Sequence, residues 1–176
     1  MTAAVFILLA LITHPLAHAA SEFELTSPAF TQGQRIPTKY TADGEGLSPP
    51  LQWSGLPNGS SELVLVMDDP DARRGTYTHW VIYGISPSIR GLPESHPSSR
   101  KHLSRPEQVA QGLNSRGELG YTPPSPPSGA LHHYHFKLFA LDRKIRLPAG
   151  LSSQELQQRI SKHIRGETEL VGIYGR

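Results

Sequence analysis

The sequence predicts a mainly β domain with few helices. Its 176 residues include 16 glycines and 16 prolines, which favour turns and are excluded from helix interiors. Two apolar runs rich in β-branched residues, at 63–67 and 80–85, flank an acidic Asp-Pro segment and predict two strands joined by a turn. The length suits a single domain that buries about two thirds of its unfolded surface.

The charge and the cysteine content exclude several classes of function. The formal net charge is +2 and the isoelectric point is about 9.0, without a block of Lys and Arg interleaved with aromatic residues. We therefore expect no nucleic-acid partner. The chain has no cysteine, so it has no disulfide, no thiol nucleophile and no thiolate metal site. We also expect no cofactor.

The first 19 residues have the pattern of a secretory signal peptide. Residues 3–12 are apolar, a proline follows, and 17–19 form an Ala-x-Ala cleavage pattern, although the amino terminus is the only positive charge before the apolar run. The run is shorter than the roughly 20 residues that span a membrane. We expect cleavage after Ala19, a mature domain at 20–176 without a transmembrane segment, and a periplasmic or secreted location. The alternative is a hydrophobic first strand or helix.

The segment before the central strands is predicted to turn repeatedly. Residues 23–30 alternate enough to form a first strand, and glycines and prolines mark the turns that follow. Trp53 is expected to pack against an edge of the core. The alternative for Trp53 is stacking on a ligand.

The central strands carry polar side chains at one end. Because side chains alternate along a strand, Asp69 is expected to share a face with Met67. By the same rule His79 is expected to share a face with Val81, Tyr83 and Ile85. We expect the carboxylate and the imidazole to meet at one rim.

A third predicted strand begins near His132. Its even positions, including Tyr134, line one face through residue 140, while His133 and His135 lie on the other face. Polar groups at the ends of several apolar strands predict a small polar pocket. The proline-rich segment 120–129 precedes this strand and is expected to be rigid. Its Ser-Pro bond at 125–126 and Pro-Pro bond at 126–127 are candidates for cis geometry.

Residues 86–119 show little periodicity and contain five Arg or Lys residues. These are Arg90, Arg100, Lys101, Arg105 and Arg116. We interpret them as a solvated face. The alternative is a basic rim that draws anionic ligands or lipid headgroups toward the pocket.

The C-terminal region predicts one short amphipathic helix near 153–165. Ser152 and Glu155 have the spacing of a capping box, and Leu156, Ile160 and Ile164 recur at helical spacing. The apolar tail at 170–176 is expected to dock on the domain, with Tyr174 approaching the pocket.

Two ordered motifs resemble the signatures of one family. The first is Asp69-Pro70-Asp71-Ala72 with His79-Trp80-Val81, and the second is Pro126-Pro127-x-Gly129-x-x-His132-x-Tyr134. The chain is therefore similar to phosphatidylethanolamine-binding proteins of the bacterial Raf-kinase-inhibitor-like branch, over nearly its whole length after the leader. It departs from the family pattern at Arg73, where proline is usual, and at His133, where arginine is usual.

The resemblance implies an antiparallel β-sandwich with one or two short peripheral helices. It also implies a pocket that binds phosphate, a phosphorylated small molecule or a phospholipid headgroup. The implied ligand-binding residues are Asp69, Asp71, His79, Pro127, His132 and Tyr134. Imidazole N–H groups suit phosphate oxygens, and we expect Asp69 to raise an imidazole pKa and orient the ring, or to accept a hydrogen from a protonated phosphate or an ammonium.

Four alternatives remain at this stage. The polar groups could form a buried network that holds the strand ends together. Asp69, His79 and Ser128 could form a hydrolytic triad, but Ser128 lacks a nucleophile elbow, and we expect no enzyme. His133 and His135 could bind a metal, but without an acidic partner we expect them to face solvent and expect no metal. Finally, the protein could inhibit a partner enzyme such as a peptidase, and a homodimer is left open.

Overall fold

The structure is a computed structural model that describes residues 22–96 and 109–176. The predicted signal peptide, its cleavage site and the start of the mature domain lie outside the described residues, as do Arg100, Lys101 and Arg105. Within the described ranges, no helix is long and apolar enough to cross a membrane.

The chain forms two antiparallel sheets and one α-helix within the described ranges. The elements are β1 (Glu24–Thr26), β2 (Leu51–Ser54), β3 (Glu62–Asp69), β4 (Tyr77–Ile85), β5 (Gly91–Leu92), β6 (Ala110–Gln111), β7 (Leu131–Leu141), α1 (Ser153–Ile160) and β8 (Ile164–Gly175). The smaller sheet has the order β1-β2-β5, and the larger sheet has the order β6-β4-β3-β7-β8. The mainly β prediction, with one helix near the C-terminus, is confirmed.

The main core lies between the two sheets. Leu51 and Trp53 of the smaller sheet pack in one cluster with Leu65 and Phe136 of the larger sheet. A second cluster lies on the outer face of the larger sheet, where α1 packs against it. Strand β3 is therefore buried along its whole length. Trp53 is a core residue, as expected, and its Nε1 donates a hydrogen bond to the Ile89 carbonyl at 2.9 Å.

The central strands contain two bulges that alternation does not predict. Met67 pairs with Trp80 and Asp68 pairs with Thr78, so His79 has no partner in the ladder. A second shift lies near Gly84, whose φ is 75°. Each bulge inserts one residue and reverses the side on which the following side chains lie.

The expectation that His79 shares a face with Val81, Tyr83 and Ile85 is therefore wrong. Val81 and Tyr83 pack on the helix side of the larger sheet, whereas Ile85 lies between the sheets. The bulge turns His79 toward Asp69, and His79 Nε2 lies 4.0 Å from Asp69 Oδ2, so the carboxylate and the imidazole meet at one rim, as expected.

Two predicted boundaries are also wrong. The first strand covers only Glu24–Thr26, because this is the part that pairs with β2. The capping box of α1 is confirmed, but the helix ends at Ile160 instead of near 165. After a 3₁₀ turn at Ser161–His163, Ile164 is already extended and pairs with Leu141. The tail docks as strand β8, as predicted.

Candidate functional site

A cavity of about 630 Å³ opens at the polar ends of β3, β4 and β7. Five of the six predicted ligand-binding residues line it. They are Asp69, His79, Pro127, His132 and Tyr134. The remaining walls come from the β3–β4 turn, from Ser115 and Arg116, and from the proline-rich segment at 122–127.

Asp69 and His132 form a buried pair at the floor of the cavity. Asp69 Oδ2 accepts a hydrogen bond from His132 Nδ1 at 2.7 Å, and the side chains are 6% and 9% exposed. Asp69 Oδ1 accepts from the backbone N–H of Asp71 at 2.9 Å, which closes the turn at the end of β3. Both carboxylate oxygens therefore already have a donor, and the His132 ring is held in one orientation.

His79 is held by a reciprocal contact with Thr122. The backbone N–H of Thr122 donates to the His79 carbonyl at 2.8 Å, and His79 Nδ1 lies 2.7 Å from the Thr122 carbonyl. Because a carbonyl only accepts, Nδ1 carries the proton. In the neutral ring Nε2 then presents a lone pair, and this atom lies 4.0 Å from Asp69 Oδ2.

Burial lowers the pKa of His79 below its usual value. The Thr122 carbonyl and the Asp69 charge act in the opposite direction, but burial is the larger effect. Asp69 does raise the pKa of His79, as expected, but burial outweighs this effect and the net shift is downward. The neutral ring, with an accepting Nε2, is the favoured state of this residue.

Tyr134 is fully buried beneath the two histidines. Its ring packs edge-on against His79, with 5.2 Å between the ring centroids, and lies 6.4 Å from the His132 ring centroid. Its hydroxyl has no hydrogen-bond partner among the described residues. Burial raises the pKa of Tyr134, so the hydroxyl keeps its proton and can donate.

Three arginines surround the mouth of the cavity. Arg73 and Arg74 lie on the exposed β3–β4 turn, which is closed by a hydrogen bond from Gly75 N–H to the Ala72 carbonyl. Arg116 lies on a loop that Asn114 organises, since Asn114 Oδ1 accepts from the N–H groups of Arg116 and Glu118. The charge of Arg116 also contributes to lowering the pKa of His79. The mouth is therefore cationic.

The architecture and the ordered motifs match one known family. Its model, described as phosphatidylethanolamine-binding protein, matches residues 26–175. The chain belongs to this family. A UPF0098 protein of Methanothermobacter thermautotrophicus is 43% identical over 152 residues, which cover 86% of this chain and 98% of that protein. The resemblance noted from the two motifs is confirmed.

Two solved members of the family have a similar fold. A protein of Chlamydia trachomatis, described as a candidate phosphatidylethanolamine-binding protein homologue, is 38% identical with a TM-score of 0.78, covering 88% of this chain and 97% of that one. YbcL of E. coli is 28% identical with a TM-score of 0.80, covering 89% and 99%. A Mycobacterium tuberculosis relative named as a candidate lipoprotein is 38% identical over 159 residues, covering 90% of this chain and 75% of that protein.

Asp71, the sixth predicted residue of the family signature, does not line the cavity. Its Oδ2 accepts from the backbone N–H and from Nδ1 of His133, both at 2.8 Å. These hydrogen bonds hold the pKa of Asp71 below its usual value. On the same face of β7, His135 Nδ1 lies 2.9 Å from a Glu169 oxygen. The expectation that His133 and His135 lack acidic partners is therefore wrong.

Several other residues that the sequence suggested for the site do not line the cavity. Ser128 lies on an exposed turn and is not a lining residue, so the imagined triad is not assembled. Tyr174 does not line the cavity either, because its hydroxyl donates to Asp43 at 2.7 Å. The peptide bonds at 125–126 and 126–127 are both trans. Of the basic residues at 86–119, Arg116 reaches the cavity and Arg90 lies near Trp53.

The sequence reasoning missed Arg73 and Arg74 as residues of the site. The available signal was the departure from the family signature at Arg73, which places two arginines beside the acidic motif. Across the two described ranges, no cluster of three or more His, Cys, Asp or Glu side chains is arranged to hold a metal ion.

Proposed function

We propose that the protein binds phosphate or a phosphorylated headgroup in this cavity and is exported from the cytoplasm. The supporting observation is the charge of the lining: Arg73, Arg74 and Arg116 surround two histidines, and Asp69 is the only carboxylate among the described lining residues. Arginine favours phosphate because its planar guanidinium can donate two parallel hydrogen bonds to phosphate oxygens.

The floor of the cavity offers groups that suit a small tetrahedral anion. Asp69 is already hydrogen-bonded on both oxygens, which reduces its repulsion of an incoming anion. Tyr134 supplies a free hydroxyl donor. The volume of about 630 Å³ falls within the range of about 300–1,000 Å³ that is usual for small-molecule sites.

The proposal of a binding protein, and not an enzyme, rests on the same groups. The serine that would serve as nucleophile is exposed and outside the cavity. His79, the candidate base, is hydrogen-bonded through Nδ1 to a backbone carbonyl instead of to a catalytic carboxylate.

Export is supported by the sequence pattern of residues 1–19 and, more weakly, by the name of the mycobacterial relative as a candidate lipoprotein. Inhibition of a peptidase is the alternative function, and no contact among the described residues specifically favours it.

Calorimetry on residues 20–176 with inorganic phosphate and with phosphoethanolamine tests the binding proposal. We expect saturable binding of at least one of these two ligands. The control is the variant with both Arg73 and Arg74 replaced by alanine, which should bind less tightly. Absence of binding by both ligands in the folded wild-type protein would refute the proposed function.

A further inference from the structure

We propose that the floor of the cavity selects a tetrahedral oxyanion that carries an O–H group and rejects one that is fully ionised. This inference rests on the proposed function and names the form of the ligand. A protonated phosphate fits the rule, and sulfate, which has the same shape but no hydrogen, does not.

The first argument is the fixed tautomer of His79. Its Nδ1 is committed to the Thr122 carbonyl at 2.7 Å, so the neutral ring turns a lone pair toward the ligand at Nε2. A second hydrogen bond joins the same two residues, because the Thr122 N–H also donates to the His79 carbonyl at 2.8 Å. The ring is therefore unable to exchange its two nitrogens without breaking the attachment of the proline-rich wall.

The second argument is the neighbouring acceptor. Asp69 Oδ2 lies 4.0 Å from His79 Nε2, so two electron-rich atoms face the same space. A ligand O–H can donate to this pair, whereas an ionised oxygen would place another lone pair against both. A site built to hydrogen-bond a ligand O–H strongly rejects the analogue that lacks it.

The groups around His79 favour the neutral ring as a set. Asp69 on β3 raises its pKa, while burial, His132 on β7 and Arg116 on the loop after β6 lower it. Two rings also pack against the His79 ring: Tyr134, on β7, and Tyr77, on β4 like His79 itself. His79 itself is only 4% exposed. A proton for the ligand contact therefore comes from the ligand more readily than from the imidazole.

Tyr134 supplies the donor that completes the selection. Its buried hydroxyl has no partner among the described residues and can donate to an ionised oxygen of the same ligand. The floor thus combines one acceptor and one donor, which matches an oxyanion that carries both O–H and O⁻.

The test compares three probes by calorimetry: inorganic phosphate, sulfate and methyl phosphate. Methyl phosphate loses its O–H at its second ionisation, near pH ~6, whereas inorganic phosphate still carries one above that ionisation. At pH ~7.5, we expect phosphate to bind at least about tenfold more tightly than sulfate or methyl phosphate. At pH ~5.5, we expect methyl phosphate to bind as tightly as phosphate again, because it regains its O–H group, and sulfate still to bind weakly.

The outcomes separate the inference from the proposed function. Equal affinity for phosphate and sulfate, or tighter sulfate binding, would overturn the inference and leave the proposed function standing. If the affinities for phosphate and for methyl phosphate fell in parallel with rising pH, the inference would also be overturned. Titration of the protein, and not of the ligand, would then cause the loss of affinity. If none of the three probes binds at either pH, the inference fails, and the proposed function fails with it if phosphoethanolamine does not bind either.

His79→Gln adds a test of the residue itself. The glutamine amide can place N–H donors near the position of Nε2, so the preference for phosphate over sulfate should fall toward one. His135→Gln, on the opposite face of β7, is the matched control and should keep the wild-type preference. If His79→Gln does not fold, the wild-type comparison at two pH values still decides.

Discussion

Asp69 and His132 are 63 positions apart in the chain, and their side chains are joined by a hydrogen bond of 2.7 Å. Strands β3 and β7 bring them together, with a continuous register from Glu62 and Leu141 to Asp68 and His135. A slip of one residue would turn every side chain to the other face of the sheet. The geometry of the cavity floor is therefore a direct consequence of the register of the two central strands.

We predict that His132→Ala weakens phosphate binding more than it lowers stability. Removing a hydrogen-bonding group that faces a charged ligand costs roughly 1.5–3 kcal/mol of binding, or about tenfold or more. Calorimetry gives the affinity, and urea denaturation gives the free energy of unfolding. His135→Ala is the control outside the cavity. Equal affinities of wild type and His132→Ala would remove His132 from the site.

Much of the fold could be predicted because its long strands have clear patterns. The even positions of β7 were expected on one face, and they are buried in the structure, from His132 to Ala140. Strands β5 and β6 could not be predicted, since two residues each carry no periodicity. The end of α1 was missed because Ile164 continues the helical spacing of apolar residues while its backbone already pairs with Leu141.

The candidate site was predictable in its residue types but not in its geometry. The motifs identified Asp69, His79 and His132 and the rim where the first two meet. Alternation, however, puts His79 on the face of Val81, which packs on the helix side of the larger sheet. The bulge at His79 depends on the pairing of Met67 with Trp80 and of Asp68 with Thr78. No pattern in the sequence marks this shift.

We predict that replacing both Arg73 and Arg74 by alanine weakens phosphate binding and makes it less sensitive to salt. Exposed positive charges near a cavity attract anions over a distance of about 10 Å at 0.1 M ionic strength, and salt screens that attraction. Calorimetry at several salt concentrations measures both effects. The matched control replaces Arg143 and Arg159, two exposed arginines outside the cavity. An unchanged salt dependence in the Arg73/Arg74 variant would contradict a steering role.

We predict that the protein isolated from its native cell begins near residue 20 and is found outside the cytoplasm. The reason is the apolar run at 3–12 followed by the Ala-x-Ala pattern at 17–19. N-terminal sequencing of the isolated protein measures the cleavage site. Replacing Ala17 and Ala19 by bulky residues should block processing. Recovery of the intact chain with Met1 in the cytoplasm would show that the first 19 residues are not a signal peptide.

We predict that Glu62→Gln stabilises the protein at pH values above the folded pKa of Glu62. Glu62 is 5% exposed, and burial raises its pKa above 4.5 despite the hydrogen bond from the Ile145 N–H. Between the unfolded and folded pKa values the folded state binds more protons, so the free energy of unfolding falls as pH rises through the folded value. Glutamine stays neutral and removes this loss.

The measurement is urea denaturation of both proteins across that pH range. The stability gain of Glu62→Gln should appear above the folded pKa of Glu62 and disappear below its unfolded pKa. Glu24→Gln, at an exposed position of β1, is the control substitution outside the core. A gain that is the same at every pH would mean that packing, and not charge, is responsible.

The last prediction concerns the titration of His79. Burial lowers the pKa of this imidazole, whereas the charge of Asp69 raises it by a smaller amount. In NMR titration the His79 ring should therefore change its protonation below the reference value of about 6.5. Asp69→Asn should move the midpoint to still lower pH, because the favourable charge is lost. A midpoint above the reference in the wild-type protein would contradict the neutral, accepting state of His79.

The same shift has a consequence for stability that can be measured independently. Below about pH 6.5 the unfolded chain takes up a proton at this histidine, and the folded chain does so only at lower pH. The unfolded state binds more protons between the two values, so the free energy of unfolding falls as the pH is lowered through this window. His79→Gln does not titrate, so its stability should decline less than that of the wild type on acidification. If both proteins lose stability in parallel, the acid sensitivity comes from other groups, such as the half-buried His96, whose pKa burial also lowers.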